Sequence, residues 1–553
     1  MSHDASLEEA VSAFRKVCGH ACEEQDRFLR RILDRNAHTE YGERYGFGNI
    51  RSEAQYAKAV PLSEFSDYDS AIERIIAGER NVLTVDAPVF YNISAGSTGV
   101  PKYVPLSRED IAKQHLYEDL AVSGIIREAL PQYSERELFG CVFNMGEFFL
   151  TSMPDGIMNG VRSGAYFRTA RKEGTFDPGC FSAPEEVLFP EKLSDMMYVK
   201  LRFALANPDI TAIHGVFVHR AVGLFRYIED YWDELLDDME HGTVSACFEI
   251  SDAWRSYLSE HLPPDPVRAS QLRALDRASL RTGMLSKIWK KLRYVRVISG
   301  DMFSVFSEKL AEYLGDLPVH GFAYASSESN IGIAPRMNVM DEYVLLPDVC
   351  YFEFIPEDQI DAPRETLTIR QVETGKRYEL VLTTLSGLYR YRIGDVVEVT
   401  GFWGEAPAVS ICYRRDLVIS LLDEQVNTMQ LQNAIHRFSE ENGVTIDHYC
   451  VAGNYDERAP RYIVYLEMNG SLPRGASEAL DRCLCAQSFS YRSERRINDL
   501  GCMEIRRVKA GTFQNYEKLC PVQGKRTEQA KMLLILNGKD QMEYFAEATE
   551  ERL

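Results

Sequence analysis

The sequence predicts an α/β protein with a large N-terminal α/β domain and a small C-terminal α/β domain. The chain has 553 residues, too many for one compact core at roughly 150 residues per domain. Stretches with apolar residues at helical spacing alternate with short apolar runs rich in β-branched and aromatic residues. The last part of the chain repeats that alternation on a smaller scale. We therefore predict domains at 1–413 and 414–553, with a hinge near 414–416.

Composition and charge exclude several classes of protein. Hydrophobic residues make up 45% of the chain, enough for sizeable cores, which excludes disordered and fibrous proteins. The 83 acidic and 62 basic residues give a net charge of −21, which disfavours binding to nucleic acid and to anionic membranes. The first residues lack the order of a secretory signal, and no apolar run of about 18 residues occurs. We expect a soluble, cytoplasmic protein with no nucleic-acid or membrane partner.

The cysteines do not predict a metal or redox site. There are 12 of them, scattered along the chain without a Cys-x-x-Cys pair, so neither a zinc-ribbon spacing nor a redox dithiol is present. We expect most of them to be reduced thiols in the core.

The elements of the first part follow in order from the apolar spacing. Residues 7–22 and 24–36 have helical periodicity and predict a helical pair. An apolar run at 89–93 predicts a strand that leads into a loop of small residues, and an extended pattern resumes after it. Ser107 and Asp110 have the spacing of a capping box, which predicts that a long helix follows over 111–130.

The later elements are predicted in the same way. Helices are expected at 221–239 and 268–292, and buried strands at 294–299 and 319–324. Between 351 and 399 strands alternate with turn residues. The C-terminal domain has a predicted order of helix, strand, strand and helix, at 429–441, 444–451, 462–468 and 477–488.

The loop SAGSTGVPK, at 94–102, has the composition of a phosphate-binding segment. Gly96 and Gly99 allow backbone N–H groups to approach an anion, Ser97 and Thr98 add hydroxyl donors, and Lys102 supplies a counter-charge. It is not a Walker A loop, because two residues rather than four separate its glycines. A surface turn rich in glycine and serine is the alternative interpretation, and the loop alone does not decide between them.

The segment YASSES, at 324–329, follows an apolar strand. Ser326, Ser327 and Glu328 would then lie at the carboxyl end of the strand, where open α/β sheets bind ligands. Glu328 is a candidate Mg²⁺ ligand, because a cation that bridges phosphates commonly takes only one or two protein carboxylates. The alternative is a strand-end turn with a solvated glutamate.

The segment YRYRIGD, at 389–395, places Asp395 after a glycine and between two predicted strands. A carboxylate in such a turn could accept both hydroxyls of a ribose. Arg390 and Arg392 could face an anion or simply decorate the strand. Considered singly, Arg415 in the segment RRD and the late Lys531 have the character of solvated cations.

The order of these motifs is more informative than any one of them. A phosphate loop, Tyr-x-x-x-Glu, Tyr-Arg-x-Gly-Asp, an arginine pair and a late lysine follow one another as in the adenylate-forming superfamily of acyl-CoA synthetases, peptide-synthetase adenylation domains and luciferases. Within it, the chain closely resembles the Gretchen Hagen three family of acyl acid amido synthetases. Besides the motifs above, the resemblance includes the stretches ILDRNAHTEYGERYGF (32–47), VPLSEFSDYDSAIERIIAGERNVLT (60–84), DMEHGT (238–243), YFEFIP (351–356), YELVLTTLSGLYRYRIGDVV (378–397) and GTF (511–513).

The resemblance implies a fold and a reaction. The fold is a large N-terminal α/β domain of the firefly luciferase-like type with a small C-terminal α/β cap, and the active site between them. The reaction uses ATP and Mg²⁺ to convert a carboxylic acid to an acyl-AMP with release of pyrophosphate. The amine of an amino acid, or a related amine, then attacks to give an amide and AMP. The implied partners are these small substrates, and no carrier protein is evident in the chain.

The resemblance also implies a role for each matching residue. The phosphate loop would contact the nucleotide through Ser94, Gly96, Ser97, Thr98, Gly99 and Lys102. The adenine pocket would include Tyr324, Ala325, Ser326 and Ser327. Glu328 would bind Mg²⁺, Asp395 would hold the ribose, and Arg415, beside the hinge, would reach the nucleotide. Lys531 would lie over the α-phosphate during adenylation, so the catalytic residues would be Lys531, Glu328 and Lys102.

The sequence departs from the family pattern at two places. Gln425 stands where the family commonly has a lysine, and MLLIL follows Lys531 where Pro-Arg is usual. Two alternatives therefore stay open: an acyl-CoA or carrier-protein ligase, and a catalytically degenerate adenylate-binding protein. The short form of the phosphate loop predicts a microbial member of the family.

The acid itself cannot be read from the sequence. Its pocket is expected along the helix after the phosphate loop, with His115, Tyr117 and Glu118 on or near it, and around 143–149. A cation such as His115 or Arg127 could meet the substrate carboxylate. Core packing is the competing role for the aromatic residues.

Overall fold

The structure is a computed structural model of the chain. It describes residues 3–95, 101–146, 148, 150–174, 176–190, 196–248, 250–276, 281–298, 304–360, 362–415, 418–419, 421, 426–454, 460–488, 491–492, 494–495, 500–519, 535–536 and 539–552.

The described residues form α-helices and short 3₁₀ turns along the whole chain, and one π-helical segment, His115–Ala121. The α-helices are α1 His3–Gly19, α2 Ala21–Arg35, α3 Glu40–Tyr45, α4 Glu53–Ala59, α5 Asp69–Ile76, α6 Arg108–Gln114, α7 Val122–Ala129, α8 Glu135–Phe139, α9 Arg162–Glu173, α10 Glu185–Leu188, α11 Met197–Ala206, α12 Val218–Asp230, α13 Trp232–His241, α14 Asp252–His261, α15 Pro266–Arg273, α16 Met284–Ile288, α17 Ser304–Leu314, α18 Thr428–Asn442, α19 Ala476–Gln487, α20 Thr512–Leu519 and α21 Lys539–Glu547.

The strands of the described residues are β1 Phe90–Ala95, β2 Pro101–Leu106, β3 Val142–Asn144, β4 Leu150–Ser152, β5 Met158–Gly160, β6 Ala212–Phe217, β7 Tyr294–Ile298, β8 Val319–His320, β9 Ala323–Ala325, β10 Asn330–Ile333, β11 Tyr343–Leu345, β12 Cys350–Pro356, β13 Leu367–Thr368, β14 Arg377–Thr384, β15 Tyr391–Trp403, β16 Ala406–Arg414, β17 Val418–Ile419, β18 Val426–Asn427, β19 Ile446–Asn454, β20 Arg461–Met468, β21 Glu504–Val508, β22 Ile535–Leu536 and β23 Thr549–Arg552.

The chain divides into two compact units. The larger contains the described residues of 1–94, 102–393 and 397–411, and the smaller those of 95–101, 394–396 and 412–553. The domain boundary between 413 and 414, and the hinge at 414–416, stay predictions.

Three sheets organise the first part of the chain. One is a parallel sheet in the order β3-β6-β7-β8, and one joins β2-β1-β5-β4 with β1 and β5 parallel. The third has eight strands in the order β13-β12-β14-β15-β16-β11-β10-β9. The main hydrophobic core, in the larger unit, packs helices α1, α5 and α7 with strands of the eight-stranded sheet.

The smaller unit has its own sheet and core. Its five-stranded sheet has the order β22-β19-β20-β21-β23, and β17 pairs with β18 as a separate ribbon. Its core contains Cys450, Ile463, Phe513 and Phe545, which come from two strands and two helices. A second core of this kind is what a large chain requires, because a single core stops growing at a few hundred residues.

Most predicted elements are confirmed within a few residues, including the opening helical pair and the C-terminal order of helix, strand, strand and helix. The capping box is confirmed as well. The Asp110 N–H donates to Ser107 Oγ at 3.2 Å, and the Ser107 N–H donates to Asp110 Oδ2 at 2.9 Å.

Three predicted elements are wrong in extent. The helix expected at 221–239 is two helices, because Tyr231 leaves the helical conformation and packs its ring against Phe248, with centroids 5.2 Å apart. The helix expected at 268–292 is two helices, because α15 ends at Arg273 and α16 begins at Met284, after Gly283 with a φ of +66°. The strand expected at 319–324 is split at Phe322, which has φ +56°.

Among the described residues, none of the helices combines the length and the apolar character needed to cross a membrane. All cysteines in this part of the chain are free thiols.

Candidate functional site

Two strands of one sheet flank the predicted phosphate loop. Strand β1 leads into it and β2 leads out of it, so Ser94 and Lys102 lie in the backbone of these two strands. The loop residues Gly96, Ser97, Thr98 and Gly99 lie outside the described residues, as do Lys531 and Gln425. The predicted roles of all these residues stay predictions.

The YASSES segment forms a hydrogen-bonded turn after β9. The Ser326 N–H donates to the Ser329 carbonyl at 2.9 Å, and Ser326 Oγ accepts from the N–H groups of Glu328 and Ser329, each at 3.2 Å. A serine that bonds the backbone two and three residues ahead fixes such a turn locally. The turn therefore presents Glu328 in one defined orientation.

The turn is also attached to the strand that leads into the phosphate loop. Asn92 Nδ2 donates to the Ser327 carbonyl at 2.8 Å, and Ser327 Oγ donates weakly to the Ile93 carbonyl at 3.5 Å. The described structure thus brings the YASSES segment and the carboxyl end of β1 together. Two motifs more than 200 residues apart in the chain become neighbours, as a shared site requires.

Glu328 lies in a buried position beside a tyrosine of the third motif. Its side chain is 4% exposed, and its Oε1 accepts a hydrogen bond from Tyr391 Oη at 2.9 Å. A buried carboxylate with one fixed oxygen has the hard oxygen donor that Mg²⁺ prefers. Glu328 therefore fits the predicted metal ligand chemically. The part of the chain that the structure describes holds no cluster of three or more metal-ligating side chains.

Tyr324 and Ala325 lie in β9, which pairs antiparallel with β10. The Tyr324 ring is 4% exposed and packs against the ring of Tyr343, with centroids 5.9 Å apart. The predicted contacts of Tyr324, Ala325, Ser326 and Ser327 with adenine stay predictions.

The structure describes both Asp395 and Arg415, the residues predicted to contact the ribose and the nucleotide. Asp395 is 8% exposed and lies inside the single long strand β15, so its predicted position at a turn between two strands is wrong. The reason is Gly394, whose φ of +83° introduces a local kink without ending the strand. Arg415 directly follows β16 and is partly buried.

The arginines of YRYRIGD are structural. Arg390 Nε donates to Glu353 Oε2 at 3.0 Å, and Arg390 Nη1 donates to the carbonyls of Ala57 and Val60, each at 2.7 Å. Arg392 Nη2 donates to Glu379 Oε2 at 2.5 Å. Both guanidinium groups form ion pairs with glutamates, so each arginine faces an anion, as one of the two interpretations has it, and that anion belongs to the protein itself.

The helix after the phosphate loop is α6, the π-helical segment and α7 in succession. In the π-helical segment His115 stacks on Tyr166 at 4.8 Å, and Tyr117 Oη donates to Asp348 Oδ1 at 2.7 Å. Glu118 is buried. Burial raises the pKa of the Glu118 carboxyl to about 7, against the opposing attraction of a nearby arginine, Arg162.

Other side chains near this helix have partners within the fold. Arg127 lies within 3.5 Å of Glu135, and Phe143 and Phe148 pack against other aromatic rings. Sequence reasoning gave no role to Tyr391, Asn92 or Arg162. Tyr391 is part of a motif quoted above, whereas nothing in the spacing singles out Asn92 or Arg162.

Three family models together match nearly the whole chain. The GH3 family N-terminal domain matches residues 10–319, the GH3 family central domain matches 343–414, and the GH3 family C-terminal domain matches 429–540. The three matches follow one another in chain order. They cover the phosphate loop at 94–102, the segment YRYRIGD at 389–395 and Lys531, whereas YASSES at 324–329 and Arg415 lie between the matched ranges.

Similar proteins and structures agree with this match. The chain is 27% identical over 526 residues to the jasmonoyl–L-amino acid synthetase JAR4 of Nicotiana attenuata, covering 92% of this chain and 89% of that protein. It is 28% identical over 512 residues to the indole-3-acetic acid-amido synthetase GH3.3 of Arabidopsis thaliana, covering 89% and 85%.

Among solved structures, the AtGH3.15 acyl acid amido synthetase in complex with 2,4-DB superposes with a TM-score of 0.85 at 22% identity. The match covers 100% of this chain and 97% of that one. The predicted fold class, a large N-terminal α/β domain followed by a small C-terminal one, is confirmed by this likeness. The chain therefore belongs to the GH3 family, the Gretchen Hagen three family of acyl acid amido synthetases that its motifs predict.

Proposed function

We propose that the protein is an ATP-dependent acyl acid amido synthetase, a ligase that forms carbon–nitrogen bonds. It adenylates a carboxylic acid to an acyl-AMP with release of pyrophosphate, and then transfers the acyl group to the amine of an amino acid to give an amide and AMP. The observation that supports this most strongly is the ordered match of all three GH3 family domains over residues 10–540. Amino acid conjugation is the activity named for the similar plant proteins.

The first step requires charge to be neutralised around the α-phosphate. A carboxylate is a poor nucleophile toward an anionic phosphorus, so alignment and electrostatic stabilisation supply most of the catalysis. We assign the phosphate contacts to the loop residues Ser94, Gly96, Ser97, Thr98, Gly99 and Lys102. Lys531 is assigned to the α-phosphate, where an ammonium group offsets developing negative charge.

The remaining assignments are to residues of the other motifs. Tyr324, Ala325, Ser326 and Ser327 form the adenine side of the site, and Asp395 and Arg415 contact the ribose and the nucleotide. Glu328 would hold Mg²⁺, which when bound neutralises phosphate charge. The hydrogen bond from Tyr391 fixes the carboxylate that this role needs.

Measurement of AMP production tests the proposal. Purified protein, ATP and Mg²⁺ are incubated with aryl, indolyl and aliphatic acids, each with and without a pool of amino acids, and the products are identified by mass spectrometry. We expect AMP only when both an acid and an amino acid are present, together with the matching amide mass.

Other products would contradict the proposal in different ways. Pyrophosphate release without an amide, followed by thioester formation when coenzyme A is added, would assign the protein to acyl-CoA ligases. ATP binding without any product would instead indicate the degenerate binding protein.

A further inference from the structure

Arg162, the first residue of α9, has a guanidinium group with no hydrogen-bond partner among the described residues. The residue is 8% exposed, and its Nε, Nη1 and Nη2 atoms are all buried without a hydrogen bond to any residue that the structure describes. Burying a charge is costly unless it is paired and hydrogen-bonded, and buried polar groups in native proteins are nearly always satisfied. Three guanidinium nitrogens, all buried and all without a partner in the described structure, therefore indicate a missing anionic partner.

Two carboxyls on which the charge of Arg162 acts, those of Asp110 and Glu118, do not supply that partner. Burial raises the pKa of the Asp110 and Glu118 carboxyls, and the positive charge of Arg162 opposes that rise, but neither carboxyl hydrogen-bonds to Arg162 in the described part of the chain. Asp110 Oδ2 is occupied by the N–H and the hydroxyl of Ser107, at 2.9 and 2.8 Å. Glu118 Oε2 accepts from Gln114 Nε2 at 3.0 Å.

Glu118 is also an incomplete counter-charge. Because burial raises the pKa of its carboxyl to about 7, a large fraction of Glu118 is protonated near neutral pH. Its Oε1, like Gln114 Oε1, is buried without a hydrogen-bond partner in the described structure. We call Gln114, Glu118 and Arg162 the Arg162 cluster. In the described structure it contains both donors and acceptors without hydrogen-bond partners.

Arg162 follows β5, an inner strand of the sheet that also contains β1. Strands β1 and β5 are parallel, with Asn92 opposite Gly160. Two residues after these positions come Ser94, still in β1, and Arg162, which lies beyond the end of β5 and begins α9. Glu118 lies in the π-helical segment of the helix that follows the loop, and such segments occur frequently at functional sites.

We propose that Arg162 binds a second anionic group on the acyl acid, so that preferred acid substrates carry two acidic groups. This inference rests on the proposed function. A guanidinium forms two parallel, charge-assisted hydrogen bonds with a carboxylate, which would occupy donors that are otherwise free.

Two other anions have the same chemistry, the phosphates of ATP and the reacting carboxylate. The phosphates already have the predicted loop and its lysine. The reacting carboxylate loses its charge when the acyl-AMP forms, which would leave Arg162 buried and unpaired during the second step. A second acidic group keeps its charge through both steps, and we favour it for that reason.

Matched pairs of acids test the inference. Isophthalate and glutarate are each compared with their monomethyl esters, using pyrophosphate release to obtain kcat/KM and calorimetry to measure binding. The variants are R162M, R162K and the control R171M, which changes an arginine of the same helix whose side chain is 56% exposed and ion-paired with Glu185. Thermal denaturation shows whether each variant is folded.

We expect the wild-type protein and R171M to prefer a diacid over its half ester. R162M should lose roughly 10- to 100-fold in kcat/KM for the diacid alone, and R162K should lose an intermediate amount. Equal use of diacid and half ester by the wild-type protein would overturn the inference. An equal loss for both acids in R162M would assign Arg162 to the reacting carboxylate or to ATP, and would overturn it too.

Calorimetry separates the two proposals. If no acid supports pyrophosphate release, the proposed function fails, whereas diacid binding that R162M abolishes still supports the anion site. If no diacid binds the wild-type protein, the inference fails whatever the activity. Should R162M not fold, unchanged diacid preference in folded R162K would contradict it.

Discussion

Replacing Tyr391 with phenylalanine should lower the affinity for Mg²⁺ during adenylation without unfolding the protein. Tyr391 Oη donates to Glu328 Oε1 at 2.9 Å, and the two residues are 2% and 4% exposed. A hydrogen bond to a charged group contributes about 1.5–3 kcal/mol, and every 1.4 kcal/mol is a factor of ten. Residues that orient a metal ligand commonly change metal affinity by roughly 10- to 100-fold. We expect a loss of that size.

The assay is pyrophosphate release as a function of Mg²⁺ concentration at saturating ATP and acid. Y391F should need about 10- to 100-fold more Mg²⁺ for half-maximal rate and should regain most of the maximal rate at high Mg²⁺. Glu328→Gln, which removes the carboxylate itself, should not be rescued by added Mg²⁺.

Tyr56→Phe is the matched control. Tyr56 Oη shares a hydrogen bond of 2.7 Å with Thr383 Oγ1, and the residue is fully buried. Its removal should cost a similar amount of stability without changing the Mg²⁺ dependence. If Y391F and Y56F showed the same Mg²⁺ dependence as the wild-type protein, the assignment of Glu328 as a metal ligand would be wrong.

Three further substitutions test other parts of the molecule. Lys531→Ala should slow adenylation by roughly 10²- to 10³-fold but spare amide formation from a supplied acyl-adenylate, whereas Lys539→Ala, with its side chain 84% exposed, should change neither rate. Arg390→Met should lower the free energy of unfolding in urea by about 3–5 kcal/mol, because it leaves the buried Glu353 carboxylate without its ion-pair partner. A second substitution in the same chain, Glu353→Met, should restore part of that free energy. Burial raises the pKa of Glu118 to about 7 in the folded protein, so its contribution to the free energy of unfolding should fall by about 2.5 kcal/mol as the pH rises from about 5 to about 8. Glu118→Gln should lack this fall, so its free energy of unfolding in urea, relative to that of the wild-type protein, should rise by the same amount. If the difference in the free energy of unfolding between Glu118→Gln and the wild-type protein were the same at the low and the high pH, the burial of that carboxyl would be contradicted.

Local patterns predicted the elements that local interactions determine. The capping box at Ser107 is an example, since all its donors and acceptors lie within four residues of one another. The break at Tyr231 could not be predicted in this way. It depends on packing against Phe248, 17 residues away, which overrides a helical pattern that continues across it.

In the candidate site, too, some features could be predicted from local sequence and others depend on distant segments. The motif order located Glu328 and the family, because the chemistry of adenylation restricts residue types at particular places. The partners of these residues come from distant segments. The contact between Asn92 and Ser327 joins residues separated by 235 positions, and Arg162 meets Glu118 only through the packing of α9 beside α6. No single-sequence pattern carries that information.

The turn that presents Glu328 has a consequence for conformational entropy. Fixing the backbone of each residue costs about 1–2 kcal/mol. The Ser326 hydroxyl and the Asn92 amide hold this turn in the folded chain itself, so its ordering is part of the free energy of folding rather than of nucleotide binding. The interaction energy with the nucleotide is therefore not used to order this turn, and it can stabilise the transition state of the chemical step instead.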